Sequence, residues 1–132
     1  MLFMKAVLSL LFGGTILALI SVLSLYGQDW EKVNPDMNKI LVDTTLIRAE
    51  LVTLEPGQKS DVHTHPAHFF YALTAGKLLV NYTDGTSETY NLMAGDYGFS
   101  NPEKPHTTTN AGKSEIKFLL VELKEHPYKA PK

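Results

Sequence analysis

From Lys39 to Glu125 the chain is written as short strand-like runs separated by turn signals, and this texture constrains its fold more than any other feature. Leu46 to Leu54 alternates, with Ile47, Ala49 and Leu51 on one face and Arg48 and Glu50 on the other, the period of a strand. Glu55-Pro56-Gly57 ends that run as a turn. Phe69 to Leu73 is aromatic and apolar. Lys77 to Thr83 and Thr86 to Leu92 flank Asp84-Gly85, a hairpin signal because the tight turn needs positive φ. Ala94-Gly95-Asp96 is another turn, and Ile116 to Leu123 is a β-branched and apolar run that reads as the last strand. Nothing after the first 27 residues has a helical period. Roughly eight or nine strands at even spacing predict an all-β sandwich or barrel. A length of 132 residues allows one such domain.

The beginning of the chain obeys a different rule. Lys5 precedes a nearly unbroken apolar run from Ala6 to Leu25, diluted by Ser9, Gly13-Gly14, Thr15, Ser21 and Ser24. This pattern reads as a secretory signal peptide. Its length also matches the ~20 residues that span a bilayer core, so a retained anchor is the rival reading. The expected organisation is a signal peptide or anchor over 1–27, a linker over 28–38, a β-barrel over 39–125 and a polar tail over 126–132. The expected location is outside the cytoplasm, periplasmic or secreted, with membrane contact only through the N-terminal segment if it is not cleaved. The net charge of −2, without clustered Lys and Arg, argues against a nucleic-acid partner. The absence of cysteine excludes disulfides, thiolate ligands, a cysteine nucleophile and a lipid-modified cysteine anchor. A metal site in this chain must use His, carboxylates, carbonyls or water.

Four of the five histidines are candidates for such a site. On a strand, residues two apart share a face, so His63 and His65 of His63-Thr64-His65 project toward one point. A pair of this kind is equally compatible with a solvated strand face. His68 follows after Pro66, and His106 opens a Thr-rich run in which Thr108 and Asn110 share its face. His126, in the polar tail, is assigned to solvent.

Taken together, these spacings resemble the cupin superfamily, in particular its small single-domain members. The first motif of that family is Gly, five residues, His-x-His, three or four residues, Glu, six residues, Gly; here Gly57, His63-Thr64-His65 and Gly76 match. The second is Gly, five residues, Pro-x-Gly, two residues, His, three residues, Asn; here Gly95, His106 and Asn110 match. The resemblance covers about Leu46 to Leu123 and implies a double-stranded β-helix (jelly-roll) barrel. It departs at the family's glutamate ligand, where Phe69 stands, and at the Pro and Gly of the second motif, where Asn101 and Glu103 stand. The implied ligand set is His63, His65 and His106, with His68 as a contested fourth if a bulge or the loop ahead of its strand turns it inward.

An all-imidazole shell brings no negative charge, and it suits one divalent transition ion (Zn, Fe, Ni, Cu or Mn). Phe69, Tyr71, Leu73, Tyr82, Phe99 and Phe118 are candidates to line a pocket, with core packing as their alternative role. Arg48 and Glu50 are candidates to orient a polar substrate, or else form a solvated strand face. Glu103 is a weak candidate for a catalytic base. The expected function is metal-dependent chemistry on a small molecule, such as oxygen insertion or isomerisation. The alternative is a non-enzymatic protein that binds a metal or small ligand outside the cytoplasm. The resemblance also implies a homodimer.

Overall fold

The computed structural model describes residues 28–132. Nine strands form two antiparallel sheets among them: β1 (Asn38–Asp43), β2 (Ile47–Leu54), β3 (His63–His65), β4 (His68–Ala72), β5 (Gly76–Tyr82), β6 (Ser87–Leu92), β7 (Tyr97–Ser100), β8 (Glu103–Asn110) and β9 (Ile116–Leu123). One sheet has the order β1-β2-β9-β4-β7 and the other β3-β8-β5-β6. The all-β expectation is met. The β5–β6 hairpin turns at Asp84-Gly85 as expected, but through a three-residue loop. The Gly85 amide donates to the Tyr82 carbonyl and Tyr82 pairs back with Thr86. Gly85 takes a φ of 89° there, a conformation that only glycine adopts without cost.

The segment 28–38 is not the linker that its polar composition predicts. It forms a single helical turn, α1 (Trp30–Val33), and a 3-10 turn over Pro35–Met37. Trp30 and Met37 are buried against Val52, Leu54 and Leu120, so the segment closes one end of the barrel. A short run with two large apolar anchors has too few residues to show a period, which is why it reads as linker. The N-terminal apolar run lies outside the described residues.

Pairing registers put the inner face of the five-stranded sheet into rows. Arg48, Glu122 and His68 form one row; Glu50, Leu120 and Phe70 the next; Val52, Phe118 and Ala72 the third. The facing sheet aligns His63, His106 and Tyr82, followed by Thr108 beside Val80 and Asn110 beside Leu78. The inner face of the five-stranded sheet therefore runs from polar at one end to apolar at the other, and on the facing sheet β5 does the same while β8 stays polar through Asn110. The apolar end packs Ala72, Leu78, Leu92 and Ile116, with Phe70 and Phe118 bridging to the Trp30 cluster.

Candidate metal centre

The histidines gather at the polar end. His63 and His65 lie on the short strand β3, and His63 sits directly opposite His106 on β8. One imidazole nitrogen from each of His63, His65 and His106 can be chosen so that all lie within 4.8 Å of one another. The ring centroids of His63 and His106 are 4.3 Å apart. His68 joins them, its ring 5.0 Å from that of His65. All four histidines are buried.

Backbone geometry explains how two departures from the family spacing are absorbed. His68 begins β4 directly after the Pro66-Ala67 connection, and the strand then alternates regularly, so His68, Phe70 and Ala72 face inward and Phe69 and Tyr71 face out. The connection, rather than a bulge, delivers His68 to the site. On β8, His63 to His65 spans two residues while their partners His106 and Glu103 span three. The extra residue is a bulge that carries Pro105. It brings Glu103 to the same side as His106, with Oε2 at 3.6 Å from His106 Nε2 and 3.9 Å from His68 Nε2.

Each imidazole is held by its Nδ1. His63 donates to the Asp61 carbonyl at 2.8 Å, His68 to the Pro66 carbonyl at 2.9 Å and His106 to the Lys104 carbonyl at 2.7 Å. His65 donates to Glu122 Oε1 at 2.7 Å. A neutral ring that donates from Nδ1 keeps its lone pair on Nε2. His63 Nε2 is buried and has no partner among the described residues, an orphaned acceptor of the kind that a cation satisfies. Desolvation, helped by the neighbouring imidazoles His65 and His106, pushes the His63 pKa down to about 2. Burial lowers His65, His68 and His106 as well. Neutral imidazoles with fixed tautomers are what metal binding requires, and the group of His63, His65 and His106 fits a transition ion.

Behind His65 lies a buried charge network. Glu122 also accepts from Arg48 at 3.3 Å, and Arg48 pairs with Glu31 at 2.8 Å. Glu50, on the same face of β2, is fully buried with neither carboxylate oxygen partnered. Its pKa is pushed up to about 8, first by desolvation and then by Glu122 and Glu31. Burial likewise raises Glu103 and Glu122.

Next to the cluster is a cavity of about 90 Å³ between the sheets. His65, His68, His106 and Glu103 form one end, and Phe70, Leu78, Val80, Leu92, Phe118 and Leu120 wall the rest, with Ser100, Thr108 and Tyr90 at its margins. Several candidate pocket residues lie elsewhere. Phe69, Tyr71, Leu73 and Phe99 are exposed, the first, second and last on the outer face of the five-stranded sheet. Once His68 points in, alternation sends Phe69 and Tyr71 out. Tyr82 packs its ring 5.6 Å from that of His106 but lines a separate surface cleft. Arg48 and Glu50 are neither a solvated face nor part of the cavity lining; they sit behind His65. Of that candidate set Phe118 alone lines the cavity. Sequence reasoning missed Glu122, Trp30 and Phe70. Glu122 had a readable signal, because it continues the inward series Ile116, Phe118, Leu120 and so places a carboxylate on a buried face.

Comparisons with known proteins agree with this architecture. The family model described as a cupin domain matches residues 50–122. The chain is 33% identical over 94 residues to an oxalate decarboxylase of Bacillus subtilis, a match that covers 69% of this chain and 24% of the relative. It thus spans about a quarter of the length of that curated relative. Among solved structures, a cupin domain from Bordetella pertussis Tohama I is similar at 22% identity and a TM-score of 0.60, covering 65% of this chain and 90% of that one. A protein with a double-stranded β-helix domain from Klebsiella pneumoniae is similar at 21% identity and a TM-score of 0.54, covering 72% and 84%. With two antiparallel sheets, the histidines at one end of the barrel and a family match across more than half of its length, the chain belongs to the cupin family.

Proposed function

We propose that this protein is an exported cupin that holds one divalent transition metal ion through His63, His65, His106 and His68, and uses it to act on a small molecule. The observation that carries the reading is the shared posture of the four imidazoles, each tied at Nδ1, with His63, His65 and His106 each offering a ring nitrogen to one point. Once bound, the ion would supply Lewis acidity to a substrate oxygen or serve redox chemistry, according to its identity. The protein's own contributions are separate. Glu122 and three backbone carbonyls fix the ring orientations. The apolar wall excludes water, and Glu103 stands at the cavity end with its raised pKa, suited to hold or release a proton beside the substrate.

The experiment is metal analysis of the purified protein beside the His63→Ala and His106→Ala variants. We expect about one equivalent of a transition metal in the wild type and its loss in both variants. A wild type without stoichiometric metal after growth in supplemented medium would sink the reading. The four-histidine grouping, with Glu103 flanking it, also supports the second reading of a protein that sequesters a metal or ligand without turnover. Retained metal with no consumption of oxygen or substrate across a small-molecule panel would favour that one. The hydrophobic segment before residue 28 supports export, and cell fractionation with and without residues 1–27 tests it. The exposed apolar outer face of the five-stranded sheet supports a homodimer.

A further inference from the structure

The cavity beside the histidines has a chemical character of its own. Away from the histidines its wall is apolar and comes from both sheets, with Phe70, Phe118 and Leu120 on one and Leu78, Val80 and Leu92 on the other. Among the described residues, no Lys or Arg lines it. Arg48, on the polar row beside Glu122, is committed to Glu31 and Glu122 behind His65. The hydroxyls of Ser100, Thr108 and Tyr90 are neutral, and the carboxylate within reach, Glu103, has the wrong sign for an anion. At about 90 Å³ the space is smaller than the ~150 Å³ that houses benzene in an engineered apolar cavity.

We propose that the cavity takes a short aliphatic molecule with one oxygen-bearing head, a short-chain monocarboxylate being the matching class, with the head at the histidines and the chain between the sheets. The inference rests on the metal reading above. A divalent ion held by neutral imidazoles would put positive charge at the polar end of the cavity, and a carboxylate head on a neutral chain is the ligand group that matches it. A second carboxylate at the far end of the chain would be buried among Leu78, Leu92 and Phe118 without a cation, which is strongly unfavourable. Within the fitting class, each added methylene that reaches the apolar wall tightens binding about fourfold.

The test is a titration of the purified, Co(II)-loaded protein, followed by its visible spectrum, with acetate, propionate, butyrate and succinate. Succinate differs from butyrate by a carboxylate at the end that meets the apolar wall. We expect affinity to rise from acetate to butyrate by roughly tenfold or more, and succinate to bind at least about tenfold more weakly than butyrate. Affinities flat along the series, or succinate binding as well as butyrate, would overturn the proposal. Failure to retain Co(II) would instead bring down the metal reading and this inference with it. Metal content measured before the titration separates the two failures. In the Leu78→Lys variant, which places a cation in the wall, the preference should shift toward succinate.

Discussion

His65 is distinct among the four histidines because its Nδ1 meets a carboxylate rather than a backbone carbonyl. Glu122 is itself held by Arg48, so a chain from Glu31 through Arg48 and Glu122 fixes one imidazole. Partners of this kind are worth tenfold to a hundredfold in metal affinity. Glu122→Gln keeps the shape and removes the charge. It is expected to weaken metal binding by about 10–100-fold in a chelator competition while the circular dichroism spectrum stays unchanged; an unaltered affinity would show that Glu122 only fills space. Glu50 carries a different prediction. With its folded pKa near 8 and a reference value of 4.5, the native state prefers the protonated carboxyl. Its contribution to stability is complete at low pH, falls as pH rises above 4.5 and is fully lost above about 8. At pH 7 that loss amounts to at most ~3 kcal/mol. Glu50→Gln should therefore raise the melting temperature at pH 8 and flatten its decline between pH 5 and 8. An identical pH profile in variant and wild type would mean that the carboxyl finds a partner in solution.

Among the elements, β5 and β9 come closer than side chains on both would allow. A Cβ added at Gly76 would lie 2.3 Å from Ile116 Cγ1, and Ile116 is fully buried. Gly76→Ala should cost about 1–3 kcal/mol in urea unfolding, the range for overpacking a core, and the double variant with Ile116→Val should recover part of it. No loss in the single variant would show that the two strands separate without cost. Gly76 was also among the residues whose spacing revealed the family, which shows what kind of information the sequence carries openly. Turn glycines and the alternation in β2 follow local rules of period and φ and were legible, and the grouping of His63, His65 and His106 was implied by the resemblance to the family. What was hidden depends on long-range register. The inward turn of His68 follows from the Pro66-Ala67 connection, and the approach of Glu103 from a bulge on β8 seen only against β3. Once Phe69 was placed at a ligand position, its alternation partners were assigned to the wrong face. Arg48 and Glu50 read as solvated because charged residues rarely occupy a buried row, and only the pairing with β9 shows that they do.

At the scale of the whole molecule, nothing among the described residues covers the outer face of the five-stranded sheet. Phe99, Phe69, Val121, Ala49 and Val42 lie in register across all five of its strands, and Tyr97, Tyr71, Leu119 and Leu51 form the adjacent row. Tyr97 is 73% exposed and Phe99 62%. Single exposed apolar residues are ordinary, but two contiguous rows whose one charge is Lys39, beside Leu51 at the β1 edge, mark an interaction surface. The homodimer proposed above would use this face, each copy setting its Tyr97 and Phe99 against the other's rows about a two-fold axis. Burying both aromatic side chains gives the contact a centre of the type that dominates interface energies. Replacing Phe99 by Glu would place an uncompensated charge there, twice per dimer by symmetry. Sedimentation velocity across micromolar concentrations should show a dimer for the wild type, and a shift toward monomer in Phe99→Glu that corresponds to at least about 30-fold weaker association. Metal content should not change, because Phe99 faces away from the histidines. A wild type that sediments as a monomer throughout that range would rule out the dimer, and the face would then need a different partner.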